Sequence, residues 1–226
     1  MSFWDENDTY GFNNCNKQNI GQINMETELG KYIYNIALNN NYNSYLEIGT
    51  WNGLGSTRCF INGFKNRSQP FIFYTLECNT EKWEYSKELY KNIDNVFVLN
   101  EVILNNKPND ILNIFPELVE NKDFNFWNDI DFNNMKDKPL FLNRNNLPEI
   151  FDIIFFDGGE FTTWYEYQQL KDRCNIIILD DVNVPKCKKI FADLINQLDK
   201  WELVFKINER NGAACFKKKN IIFNCS

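Results

Sequence analysis

The stretch "SYLEIGTWNGLGST", Ser44 to Thr57, decides the fold. An apolar run ends around an acid, Glu47. Gly49, Gly53 and Gly55 then crowd a short loop, and helix-like sequence resumes. Glycine lets a backbone turn sharply or approach something closely. The stretch therefore reads as a strand, a glycine loop and a helix from Leu54 to about Phe64, the opening of an α/β unit.

Working outward, the same alternation repeats. "FIFYTLE" (Phe71 to Glu77) reads as a strand, and "TEKWEYSKELYKN" as a helix with Thr80 as its cap. "NVFVLN" (Asn95 to Asn100) is a third strand, and "PNDILNIFPELVE" holds a helix interrupted or restarted at Pro116. "FDIIFFDGG" (Phe151 to Gly159) and "NIIILDD" (Asn175 to Asp181) are strands whose unbroken apolar interiors suit burial on both faces of a parallel sheet. "TTWYEYQQLKDRC" and "VPKCKKIFADLINQLD" follow them as helices, the second started by Pro185. "WELVFKI" and "AACFKKK" are joined by the short, turn-rich "NERNG", so they must pair antiparallel.

Before the first strand, "METELGKYIYNIALNN" has apolar positions at helical spacing. The expectation is an α/β fold: a doubly wound, mostly parallel, seven-stranded sheet with a C-terminal antiparallel hairpin, in one domain over residues 1–226. Residues 1–24 read as an N-terminal arm. Residues 121–148 are aromatic, acidic and not clearly periodic, and read as an ordered lid.

Composition narrows the function. The 226 residues carry a net charge of −7, which argues against a duplex-binding surface. "KCKK" and "KKK" are short enough to be solvated faces. No apolar run approaches the roughly 20 residues of a membrane span. Seven cysteines, an odd number without a C-x-x-C pair, suggest reduced thiols and a cytoplasmic setting. The chain has no histidine, which removes Ser-His-Asp and Cys-His hydrolysis and His-ligated zinc.

In open α/β sheets, ligands bind beyond the carboxyl ends of the strands, where strand order reverses. A dinucleotide fingerprint, G-x-G-x-x-G, is one candidate for the glycine loop, but Gly49, Gly53 and Gly55 do not have that spacing. Glu47 would also repel a pyrophosphate and welcome positive charge instead. S-adenosylmethionine carries such charge on its ammonium and sulfonium groups, and Glu77, ending the second strand, can accept hydrogen bonds from both ribose hydroxyls.

With these residues the chain resembles the class I S-adenosylmethionine-dependent methyltransferases over roughly Gly21 to Lys219. More narrowly, "YLEIGTWNGLGST", "FDIIFFDGGEF" and "IIILDDV" are similar to the branch related to macrocin and catechol O-methyltransferases. The resemblance implies that Glu47, Gly49, Gly53, Gly55 and Ser56 surround the methionine part of the cofactor. It also implies that Glu77 holds the ribose and that Asn100 and Glu101 lie near the adenine, although the family usually has Gly-Asp or Gly-Ser at that pair. A homodimer is what the family suggests.

Asp157 closes the fourth strand, and Asp180 and Asp181 close the fifth. Adjacent parallel strands end on one edge, so these carboxylates should converge. A divalent cation such as Mg²⁺ would relieve their repulsion, and the resembled enzymes bind Mg²⁺ at these strand ends. The bland alternative is that an aspartate there only caps the next helix.

Methyl transfer also needs a group to take the acceptor's proton. Glu160 is the candidate, three residues after Asp157, where catechol-type enzymes carry a lysine; macrocin-like enzymes place an acid at the position held here by Gly159. Trp164, Tyr165, Tyr167, Phe124, Phe126 and Trp127 can line an acceptor pocket, although helical spacing favours a core role for Trp164 and Tyr167. Gln22 and Glu26, before the first helix, are placed to close over the cofactor.

The expected activity is Mg²⁺-assisted O-methylation of a small hydroxylated molecule, a sugar before a phenol, without nucleic acid or membrane as partner. Its rivals are a nicotinamide-dependent oxidoreductase and a cofactor-binding domain without chemistry.

Overall fold

The computed structural model describes residues 21–116 and 124–219, with side chains described from residue 128 onward in the second block. Most of the expected N-terminal arm, and the side chains of Phe124, Phe126 and Trp127, lie outside the described residues.

Among the described residues the elements, in chain order, begin with α1 (Glu28–Leu38), β1 (Ser44–Ile48), α2 (Ser56–Phe64) and β2 (Ile72–Leu76). Next come α3 (Thr80–Tyr90), β3 (Val96–Leu99), the single turn α4 (Ile111–Ile114) and α5 (Phe124–Met135). The described elements close with β4 (Phe151–Phe156), α6 (Thr163–Leu170), β5 (Cys174–Asp180), α7 (Pro185–Ile195), β6 (Trp201–Ile207) and β7 (Ala213–Lys218).

The strands form one seven-stranded sheet in the order β3-β2-β1-β4-β5-β7-β6. β1 pairs parallel with both β2 and β4, β4 pairs parallel with β5, and β7 runs antiparallel between β5 and β6. Order therefore reverses between β1 and β4, which opens a crevice above their carboxyl ends.

Period-two alternation gives each face its core. Leu46, Ile48, Ile154, Phe156, Ile177 and Leu179 pack on one side; Tyr45, Phe73, Ile153, Phe155, Ile176 and Ile178 pack on the other. β4 and β5 are covered on both faces, as their unbroken apolar runs require. At the edge, β6 alternates exposed and covered residues instead.

Three local expectations need correction. α3 is capped by Asn79, whose side chain accepts from the Lys82 amide at 3.1 Å, and Thr80 is its first helical residue. α2 begins at Ser56 rather than Leu54, because Trp51 has a left-handed φ of 51° and the Gly53 amide turns back to the Thr50 carbonyl at 3.0 Å. The aperiodic segment from 121 to 148 contains the twelve-residue helix α5. That helix is held by tertiary packing: Met135 is buried with Val102 and Leu104, and Phe132 packs against the same group.

After β3 the chain is pinned by a parallel bridge between Val102 and Leu140. The Phe141 amide donates to the Val102 carbonyl there, at 2.9 Å. This holds α5 over the crevice.

Candidate active site

A cleft of about 1010 Å³ lies above the carboxyl ends of β1, β2, β4 and β5. Its size is at the upper end for small-molecule sites. The glycine loop forms one wall through Gly49, Thr50, Trp51, Gly55 and Ser56. Gly49 is required there. Its φ is +95°, and a Cβ would stand 2.1 Å from the Asp157 carbonyl oxygen. Only glycine lets the end of β1 approach the end of β4 so closely.

Glu77 stands at the carboxyl end of β2, 7% exposed and facing the cleft. Its carboxylate accepts from the Trp51 amide at 2.6 Å and from the Asn79 amide at 2.8 Å, one on each oxygen. Burial raises its pKa, and those two amides together with Lys82 oppose the rise. Each oxygen keeps lone-pair capacity towards the cleft. Asn100, expected near the adenine, does not line the cleft. Its amide donates to the carbonyls of Glu77 and Cys78, at 2.7 and 3.2 Å, and so braces the turn. Glu101 does line the cleft. One of its oxygens pairs with Arg144, and the other, Oε2, is buried without a partner.

Glu47 is placed one layer deeper than expected. It is fully buried, and its carboxylate accepts from Ser56 Oγ at 2.7 Å and from the Thr57 and Thr75 hydroxyls at 2.6 Å each. Burial pushes its pKa to about 7 against the pull of those three hydroxyls. Its effect on the cleft passes through Ser56. Gly53 also stands behind the wall, where its carbonyl accepts from the Tyr90 hydroxyl on α3.

Asp157, Asp180 and Asp181 converge: one oxygen from each lies within 4.8 Å of the others. Two cations stand among them. Lys186, the second residue of α7, places Nζ 2.9 Å from Asp157 Oδ1 and 2.6 Å from Asp181 Oδ2. Arg210, from the turn between β6 and β7, reaches Asp180 Oδ2 at 3.4 Å and Asp181 Oδ1 at 3.5 Å, and also bonds Gln22. The "KCKK" run is therefore not simply a solvated face; its first lysine is drawn into the cleft.

The donor chemistry of the triad suits a hard cation. The arrangement does not fit one as it stands, because Lys186 Nζ already bonds Asp157 Oδ1 and Asp181 Oδ2 and occupies the space between them. Asp181 is held below the ordinary carboxylate range by Lys186 and Arg210 despite its burial. Asp180 is pushed up to about 8, by burial first and then by Asp181 and Asp157.

Glu160 faces the same end of the cleft. Its Oε2 accepts from the Lys186 backbone amide at 3.1 Å, and burial raises its pKa to about 8 although Lys186 opposes this. Two acids escaped the sequence reading. Asp131 comes from α5, and Glu166 from α6; both line the cleft. Burial raises the first to about 7 and the second to about 8, and Glu166 Oε2 and Thr162 Oγ1 are buried without partners. No motif marks these residues, since only the docking of α5 and α6 brings them together.

Of the aromatic residues named for an acceptor pocket, the three with described side chains do not line the cleft, and Trp164 and Tyr167 take the core role that their helical spacing favoured. Tyr167 is fully buried with its hydroxyl on Asp193, Trp164 packs against the core, and Tyr165 bonds Asp110. Of the two residues placed to close over the cofactor, Gln22 lines the cleft and Glu26 is exposed on the surface.

No family model matches the chain, and no curated protein matches it in sequence. Solved structures do match its fold. The O-methyltransferase from Bacillus cereus in complex with S-adenosylhomocysteine is 16% identical with a TM-score of 0.56, over 88% of this chain and 84% of that one. The S-adenosylhomocysteine-bound methyltransferase PaMTH1 of Podospora anserina is 14% identical with a TM-score of 0.53, over 85% and 78%. TrmK of M. capricolum with the same cofactor product is 13% identical with a TM-score of 0.53, over 87% and 70%. The chain has the class I methyltransferase fold.

Proposed function

We propose that this chain is an S-adenosylmethionine-dependent O-methyltransferase acting on a hydroxyl of a small molecule, a sugar or glycoside before a phenol. The observation that carries the reading is Glu77, fixed by two backbone amides at the end of β2 and facing the cleft beside the glycine loop. Glu77 would hold the ribose hydroxyls. Ser56 and the loop amides would face the methionine part. Glu101 Oε2, a buried acceptor without a partner, suits the adenine amino group.

When bound, S-adenosylmethionine would supply a methyl carbon on a sulfonium, open to in-line attack by an oxygen that forms the O–C bond as the C–S bond breaks and the sulfur leaves as a neutral thioether. The protein's part is alignment and proton management. Asp157, at the boundary of loop and acid cluster, orients the acceptor end. Glu160 takes the hydroxyl proton, and its raised pKa suits a base working near neutrality. The acceptor end carries Asp131, Glu160, Glu166 and Thr162, which accept from several hydroxyls at once; that favours a sugar over a flat phenol.

Thermal melts with S-adenosylhomocysteine and with NAD test the reading. A ligand at about 100 times its Kd adds about 2.7 kcal/mol. For a chain of this length that is roughly 5–10 °C. Stabilisation by S-adenosylhomocysteine alone is expected. Stabilisation by NAD alone would favour the oxidoreductase, and cofactor binding without transfer to any hydroxylated acceptor would leave a binding domain.

The convergence of Asp157, Asp180 and Asp181 would admit a metal-assisted variant of the same activity only if Lys186 withdrew from Asp157 and Asp181.

A further inference from the structure

We propose that Lys186 is the resident cation of the aspartate triad, so that the site does without a divalent ion. Its ammonium bridges the ends of β4 and β5, bonding Asp157 just after one and Asp181 just after the other. Arg210 reaches Asp180 Oδ2 and Asp181 Oδ1, so each of the three aspartates has a cationic partner within 3.5 Å. A Mg²⁺ ion bonding carboxylate oxygens of Asp157 and Asp181 at about 2.1 Å would stand close to the ammonium that already bonds both carboxylates. Two positive centres that close would repel strongly.

The lysine is held in place. Pro185 starts α7 immediately before it, and its own backbone amide is tied to Glu160 Oε2 at 3.1 Å. Its side chain is 13% exposed, which leaves it facing the cleft but little room to swing away. Lys186 therefore stands beside Glu160 at the acceptor end. There a fixed positive charge lowers the proton affinity of an incoming hydroxyl, the service otherwise expected of a metal. That last step rests on the methyltransferase reading; the occupancy of the triad does not.

Mn²⁺ titration of the full chain, followed by the electron paramagnetic resonance of the free ion and by calorimetry, tests this without an activity assay. The wild type is expected to bind no stoichiometric Mn²⁺, and its melting temperature should not respond to Mg²⁺ or EDTA. Lys186→Met should gain one site, with Mn²⁺ affinity raised roughly tenfold or more, about 1.4 kcal/mol. It should also gain a melting temperature that rises with divalent ions. Stoichiometric Mn²⁺ binding by the wild type, lost in Asp181→Asn, would overturn the proposal and needs no lysine variant to be seen. So would a folded Lys186→Met protein that binds none. If S-adenosylhomocysteine fails to bind in the melts while wild-type Mn²⁺ binding is absent and the variant gains it, the methyltransferase reading fails and the tethered cation stands.

Discussion

Glu77 meets two backbone amides, from Trp51 and Asn79, and so is aimed before any ligand arrives. Hydrogen bonds to a charged group contribute about 1.5–3 kcal/mol each. Replacing Glu77 with alanine should therefore weaken S-adenosylhomocysteine binding roughly 10- to 100-fold by calorimetry. A change below about threefold would place the nucleoside elsewhere. Glu77 was legible in the sequence because an acid closing a strand beside a glycine loop has few structural excuses. Lys186 was not. Its role depends on where α7 docks, and a short basic run offers no sign of which lysine turns inward. Glu47 was half legible: its acidity beside the loop was visible, but the three hydroxyls that saturate it come from α2 and β2.

Among the elements, the strands announced themselves through short apolar runs, four of them closed by an acid or glycine, and all seven form. α5 did not. "FNFWNDIDFNNM" is rich in asparagine and aromatics, weak helix formers, so its helicity comes from what it packs against. We propose that α5 is the lid, since it carries Ile130, Asp131, Asn134 and Met135 into the cleft. Met135 is 3% exposed against Val102 and Leu104. Met135→Ala should cost about 2–5 kcal/mol in urea unfolding and weaken S-adenosylhomocysteine binding as well. Lost stability with full cofactor affinity would show α5 to be a brace for the fold and no part of the lid.

Across the whole molecule, one cleft gathers acids from α5, the loop after β4 and α6, with Glu47 of β1 buried behind its wall. Burial raises Glu47 and Asp131 to about 7, and Glu160 and Glu166 to about 8. A carboxyl whose folded pKa is raised binds its proton more tightly in the folded chain, so its contribution is present at low pH and is lost as pH climbs through the folded value. The melting temperature of the ligand-free chain should therefore fall between about pH 4.5 and pH 8, and Glu166→Gln should flatten that slope. A melting temperature that rises over the window would mean these groups ionise freely. Arg210 extends the same connectedness to the chain's last strands, because the turn between β6 and β7 reaches Asp180, Asp181 and Gln22. A chimera that borrows its terminal hairpin from another protein of this topology would zip onto β5 through backbone pairing alone. It would still arrive without its guanidinium, and so look folded by every spectroscopic measure while leaving Asp180 to find a new counterion.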